Sequence, residues 1–236
     1  MESMKGKTVA LILTGTIFLA GFASLTFPIW HGFLLEHILR DQMDSFLTFE
    51  NEKEQTITEE DPLRTAVEEY NQTLFEQRQV GFNGKEAYET PSFLMADYGY
   101  DSEIFAVLSI PEISLEMPVY LGANSENLSL GAAHLSQTSL PVGGINTNSV
   151  IAGHRGWKGA EYFKYIPNLH IGDEVIITNL WETLSYKVVG IKTIYSSNSE
   201  QLLIQPERDL LTLLTCDYGE AGLKLRCLVI CERIHE

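Results

Sequence analysis

The C-terminal end of the chain constrains the fold most. Thr212-Leu213-Leu214-Thr215-Cys216 is an apolar run that ends in a cysteine, and a second run, Leu225-Arg226-Cys227-Leu228-Val229-Ile230, follows after a short polar stretch. Two short apolar runs separated by turn residues predict an antiparallel hairpin across Asp217 to Gly222. Such a hairpin sets Cys216 beside Arg226, a charge where a buried strand should carry none. A potential nucleophile next to a fixed cation points to covalent thiol chemistry rather than to a binding role.

The other end of the chain places that chemistry outside the cell. No charged residue occurs from Thr8 to Trp30, a run long enough to cross the roughly 30 Å hydrocarbon layer as a helix. Lys5 and Lys7 precede it, and Glu36, Asp41 and Asp44 follow. The positive-inside rule then puts the N-terminus in the cytoplasm and the remainder outside. Gly21-Phe22-Ala23 could serve as a cleavage site, but the run exceeds an ordinary signal-peptide core, so an uncleaved anchor is expected. The net charge of −16 argues against a nucleic-acid partner, which would want a basic face.

Three cysteines in an exported protein raise the question of a disulfide. Cys227 and Cys231 are four apart on the predicted strand, so about 13 Å separates them along it, too far for a bridge. They read as small buried apolar residues. Cys216 is then a free thiol.

Two helical stretches are expected after the span. The first covers Ile38 to Glu54. The second begins at Asp61, with Pro62 at the first helical position and Leu63, Val67, Tyr70 and Leu74 at helical spacing. Gly81 to Gly99 reads as irregular. From Glu103 onward the pattern changes to strands: Phe105–Leu108, Met117–Leu121, Ser149–Ala152, Glu174–Ile177, Leu184–Val189 and the two C-terminal runs. Short helical pieces interrupt them near Ser125–Leu130 and Gly159–Tyr165. About seven or eight short strands with turns between them predict a mainly β fold, a closed barrel. The expected organisation is a cytoplasmic tip and anchor over 1–35, a helical N-terminal region over 36–102 and a catalytic barrel over 103–236.

A thiol nucleophile needs a proton partner. His31 and His37 flank the span, His170 sits in a turn and His235 at the end of the chain; each reads as a surface residue. His134, in Ala132-Ala133-His134-Leu135, reads as a structural hydrogen-bonding group. His154 differs. It follows the strand Ser149–Ala152 and lies between Gly153 and Arg155-Gly156, where glycines allow a sharp turn that exposes the imidazole. A papain-like arrangement is disfavoured, because there the cysteine comes early, on a helix, and the histidine after it.

These residues resemble the sortase family. Thr212-Leu213-Leu214-Thr215-Cys216 fits its T-L-x-T-C signature, Arg226 stands where sortases carry their arginine, and His154 fits their histidine. The resemblance covers Glu103 to Arg233. Within the family the chain is most similar to class C, the pilin-polymerising sortases. His134-Leu135, Thr138-Ser139-Leu140-Pro141-Val142-Gly143-Gly144, Gly153-His154-Arg155-Gly156 and Tyr70-Asn71-Gln72-Thr73-Leu74 carry that likeness. It implies an eight-stranded sortase barrel, with His154, Cys216 and Arg226 catalytic and with Thr215, Leu140 and Pro141 touching substrate. It implies no cofactor and no metal.

The implied activity is cleavage of an LPxTG-like sorting signal between Thr and Gly. The acyl group then passes to a pilin lysine or, alternatively, to the peptide crossbridge of a cell-wall precursor. An inactive, pilin-binding scaffold is a further alternative. The implied location is the membrane of a Gram-positive bacterium.

Two features depart from class C. Its lid motif, Asp-Pro-aromatic after the Tyr-Asn helix, does not occur between Leu74 and Phe105. Asp61-Pro62-Leu63 precedes that helix and reads as its cap. A plug is therefore expected to be absent or built from Pro91-Ser92-Phe93 or Asp97-Tyr98. Class C members also often end in a second span, and none precedes Glu236.

Overall fold

The computed structural model describes residues 2–53, 61–80, 82, 88–157, 160–218 and 224–234. Helix α1 (Glu2–Lys53) runs without a break across the expected boundary between anchor and helical region. Its side chains from 12 to 27 are almost all exposed, including Ile12, Leu13, Ile17, Phe18, Leu19, Phe22, Leu25 and Phe27. The side chains of residues 8–11, 28 and 29, which belong to the uncharged run, lie outside the described residues. Among those described, no helix is long and apolar enough to cross a membrane.

Farther along α1, Leu39, Met43 and Phe46 repeat at helical spacing and are buried in the main core. The Tyr120 hydroxyl donates to Gln42 Oε1 at 3.0 Å beside them. Helix α2 (Pro62–Glu76) starts as its sequence predicts. Asp61 Oδ1 accepts from the Leu63 N–H at 2.9 Å, Pro62 occupies the first turn, and Leu63, Val67 and Leu74 face inward.

Eight strands close into a mixed barrel in the order β1-β2-β3-β4-β7-β8-β6-β5. They are β1 (Ile104–Ile110), β2 (Leu115–Leu121), β3 (Ala132–His134), β4 (Thr147–Ala152), β5 (Glu174–Asn179), β6 (Thr183–Tyr195), β7 (Asp209–Tyr218) and β8 (Lys224–Arg233). Helix α3 (Ser125–Leu130) and short 3-10 turns connect them. Most neighbours are antiparallel, but β2 with β3 and β4 with β7 are parallel.

Strand β7 is covered on both faces, which is why its sequence is nearly continuous in apolar residues. Leu211 and Leu213 join the main core, while Leu214 packs with Ala152, Val150 and Leu228 in a second, smaller cluster. This smaller cluster floors the site described next.

Candidate active site

The hairpin forms in the expected register. β7 and β8 pair antiparallel with Cys216 opposite Arg226. Cys216 does not end its strand, however. Asp217 and Tyr218 continue the ladder, opposite Leu225 and Lys224. Asp217 can stay paired because its carboxylate is neutralised laterally: it forms an ion pair with Arg155 and accepts a hydrogen bond from Thr193 Oγ1 at 3.1 Å.

The histidine arrives from the other side of β7. β4 runs parallel to it with Ala152 beside Leu214. Two more residues along each chain bring His154 and Cys216 to the same cleft. The chain past β4 is tied down at Gly153, whose N–H donates to Leu214 O at 3.0 Å and whose carbonyl accepts from Thr215 Oγ1 at 2.8 Å. Glycine is required at 153 because a Cβ there would lie 2.7 Å from the ring of Phe163. Gly156, at φ +83°, then turns the chain back.

Cys216, His154 and Arg226 thus come from three adjacent strands and line one cleft of about 210 Å³. Ala152, Leu214 and Leu135 form apolar walls, and Tyr88 and Glu89 close one side. Cys216 is exposed, whereas Cys227 and Cys231 are buried; all three thiols are free. Burial pushes the Cys231 thiol far above its usual range and raises that of Cys227.

None of the three cleft groups is consumed by internal bonding. The Cys216 thiol, the His154 imidazole and the Arg226 guanidinium have no hydrogen-bond or ion-pair partner among the described residues. The imidazole instead stacks on Trp157, with ring centroids 4.4 Å apart and planes 12° apart, and meets the edge of Tyr162 at 6.2 Å. Partial burial lowers the His154 pKa below its usual value. Tyr162 is strained, a bulky residue at φ +43°. Its hydroxyl donates to Ser129 O at 2.6 Å.

The three residues assigned to substrate contact fall in different settings. Thr215 borders the cleft, but its hydroxyl is spent on Gly153. Leu140 and Pro141 are not among the residues lining it. Leu140 is fully buried, with its N–H donating to Asn71 Oδ1 at 2.7 Å and its carbonyl accepting from Asn71 Nδ2 at 3.1 Å. The Pro141 carbonyl accepts from Asn179 Nδ2 at 3.0 Å. Asn71 of α2 therefore clamps this loop at Leu140, while the Tyr70 hydroxyl accepts from the Gln137 N–H at 3.1 Å.

The segments considered for a plug also lie elsewhere. Phe93 packs on Tyr70 and Tyr98 at 5.6 and 6.0 Å. Residues 88 and 89 stand at the cleft instead, with the Tyr88 hydroxyl donating to Phe82 O at 2.8 Å. Nothing in the irregular composition of Gly81 to Gly99 singles them out.

His134 is structural, as its sequence setting implies. It is completely buried, Nε2 donates to Ser139 O at 2.9 Å, and burial pushes its pKa down to about 4. Glu232, which shares a strand face with Arg226, is taken by Arg208 in a two-pronged pair at 2.9 Å.

Comparison with known proteins bears on the family and the fold. The family model described as "Sortase domain" matches residues 108–234. Among solved structures, sortase C1 of GBS pilus island 1 is 28% identical with a TM-score of 0.69, covering 82% of this chain and 98% of that one. Sortase C from Clostridium perfringens with the C-terminal cell wall sorting motif is 32% identical with a TM-score of 0.63, covering 79% and 96%. Sortase A of Bacillus anthracis is 28% identical over 48% of this chain and 52% of its own length. The chain spans about half the length of the curated relatives it matches.

Proposed function

This chain belongs to the sortase family of cysteine transpeptidases, and on that premise we propose that it is a membrane-anchored, class C-like enzyme that joins pilin subunits. One observation carries the reading: a free exposed thiol, an imidazole and a guanidinium with no partner among the described residues line a single cleft, delivered by three neighbouring strands and the turn after one of them.

The Cys216 thiolate attacks the threonine carbonyl carbon of an LPxTG-like signal. Arg226 donates hydrogen bonds to the oxygen as charge develops there, or to the adjacent peptide carbonyl. The C–N bond to glycine breaks, and the His154 imidazolium gives its proton to the leaving amine. A lysine amine then attacks the thioester, the neutral imidazole takes up its proton, and the thiolate leaves. The lowered pKa of His154 keeps the imidazolium a minority form near neutral pH.

Thr215, Leu140 and Pro141 enter this reading in different ways. Thr215 holds the histidine turn against the nucleophile strand. Leu140 and Pro141 keep their proposed substrate role only through the loop they shape.

Membrane anchoring is supported by the part of α1 between residues 12 and 27. It exposes large apolar side chains on every side, which water does not tolerate without a covering. The basic residues at Lys5 and Lys7 favour an N-terminus in the cytoplasm and a barrel outside the cell.

The pilus assignment is supported by the likeness to class C structures over about four-fifths of the chain. Attachment to a cell-wall crossbridge is the second reading, favoured by the curated relatives named sortase A. Incubating the protein with a pilin carrying a sorting signal separates them. A ladder of covalent multimers supports polymerisation. Transfer to a crossbridge peptide with no ladder supports wall attachment. No acyl transfer to either amine, with the thiol intact, leaves the scaffold reading.

A further inference from the structure

We propose that Trp157 is a positioning residue that fixes the His154 imidazole by stacking, in place of the hydrogen-bonding group that usually orients a catalytic histidine. The inference rests on the transpeptidase role of His154. A histidine that must deliver a proton at a set point needs its ring plane defined, and the last torsion of a free imidazole has a broad minimum. In hydrogen-bonded triads a third residue supplies that definition. Here the imidazole has no hydrogen-bond partner among the described residues, and the near-parallel indole at 4.4 Å is its tightest ring contact.

The placement of the indole separates positioning from substrate contact. His154 lines the cleft; Trp157 and Tyr162 do not. The indole stacks on the imidazole without itself lining the cleft, a place suited to support rather than to substrate contact. Its own place is fixed by the chain. Gly156 at φ +83° folds residue 157 beneath residue 154. Trp157 and Ala160 exchange N–H to carbonyl bonds of 2.9 Å in both directions. Tyr162 limits movement at the ring edge, held by its bond to Ser129. Offset-stacked aromatic pairs prefer such geometry.

Among the described residues, the charged and titratable groups that share the cleft with the imidazole are Cys216 on β7, Arg226 on β8, Tyr88 and Glu89, with Tyr162 at its ring edge; the neighbouring Arg155 is paired with Asp217. Two effects of the indole oppose each other. Its face favours imidazolium, while its bulk excludes water and disfavours it. Burial is the cause of the lowered His154 pKa. Removing the indole thus lets the titration midpoint rise toward 6.5.

The test uses the full chain with Trp157→Phe, Trp157→Leu and Trp157→Ala. It reads kcat and KM for acyl transfer together with an NMR titration of the His154 ring protons. Trp157→Phe keeps a flat ring and should hold kcat within about threefold. Trp157→Leu keeps apolar volume without a ring, and Trp157→Ala keeps neither. Both should lower kcat by about 10- to 100-fold with little change in KM. Both should also move the ring protons away from the position that the stacked indole gives them. The midpoint should rise in Trp157→Ala. A raised KM at unchanged kcat would make Trp157 a substrate contact and overturn the proposal. Unmoved ring protons and kcat in Trp157→Leu would overturn it as well. Loss of the transpeptidase reading would look different: the unaltered protein would transfer nothing, while the ring-proton comparison would still report on the stack.

Discussion

Two polar regions of the barrel make opposite use of their hydrogen-bonding groups. Around the loop from Leu140 to Thr147, Asn71, Asn179 and Asp209 are each occupied by several hydrogen bonds. Asn71 clamps both backbone groups of Leu140, and Asn179 holds the Pro141 carbonyl and the N–H groups of Trp181 and Glu182. Asp209 accepts from Gly144 N–H, Thr147 Oγ1 and the Tyr186 hydroxyl. At the cleft, the thiol, the imidazole and the guanidinium have no internal partner among the described residues. Saturated groups hold a backbone in place, and removing one leaves a buried donor or acceptor unpaired. Groups left open at a solvent-facing cleft are available to a substrate.

The two regions should therefore fail in different ways when altered. The largest effect is expected at the nucleophile: Cys216→Ala should reduce transfer by about 10⁴-fold or more with an unchanged unfolding midpoint. Arg226→Ala should cost about 10²- to 10³-fold in kcat, and Arg226→Lys should recover little of it, because an ammonium lacks the planar fork. Equal turnover by the lysine variant would remove the need for a guanidinium at position 226.

The clamped region should answer in stability instead. His134 provides a pH test. Its pKa is about 4 in the folded chain against 6.5 as the ordinary value, so below pH 6.5 the unfolded chain binds the extra proton more readily. The stabilisation is complete above pH 6.5 and is lost as pH falls toward 4, on the order of 3 kcal/mol in all. Urea unfolding at pH 7 and at pH 4.5 reads this loss, and His134→Gln should flatten it. Asn71→Ala, which orphans the Leu140 N–H and carbonyl, should cost about 1–3 kcal/mol, measured by chemical denaturation. Activity per folded molecule should fall only through a raised KM, because Asn71 acts on substrate through the loop that Leu140 and Pro141 shape.

What the sequence discloses follows from how local each contact is. Cys216 and Arg226 are joined by one hairpin, and their register is legible from two runs and a turn. His154 is legible from its glycines, one of which faces Phe163 and one of which adopts a left-handed turn. The parallel pairing of β4 with β7 that delivers it is not, since nothing local encodes a partner some sixty residues away. Strand β3 is three residues long and carries no periodicity. Tyr88 and Glu89 gain their places only through tertiary contact, and the local turn that places Trp157 does not disclose its stacking on His154. The composition change after Trp30 suggests a new element at Ile38, yet α1 continues, because helix geometry is indifferent to a shift from apolar to acidic residues when no breaker intervenes. Asp217 reads as a loop residue because the Arg155 partner that lets it remain in the strand is invisible in the sequence.

Mass spectrometry of the full-length protein, quenched during turnover of an LPxTG-type peptide, tests the central claim most directly. The account predicts one acyl adduct, ending at the peptide's threonine, on Cys216, released by an added amine and absent from Cys216→Ala. An adduct on Cys227 or Cys231, or peptide cleavage that survives in Cys216→Ala, would contradict it.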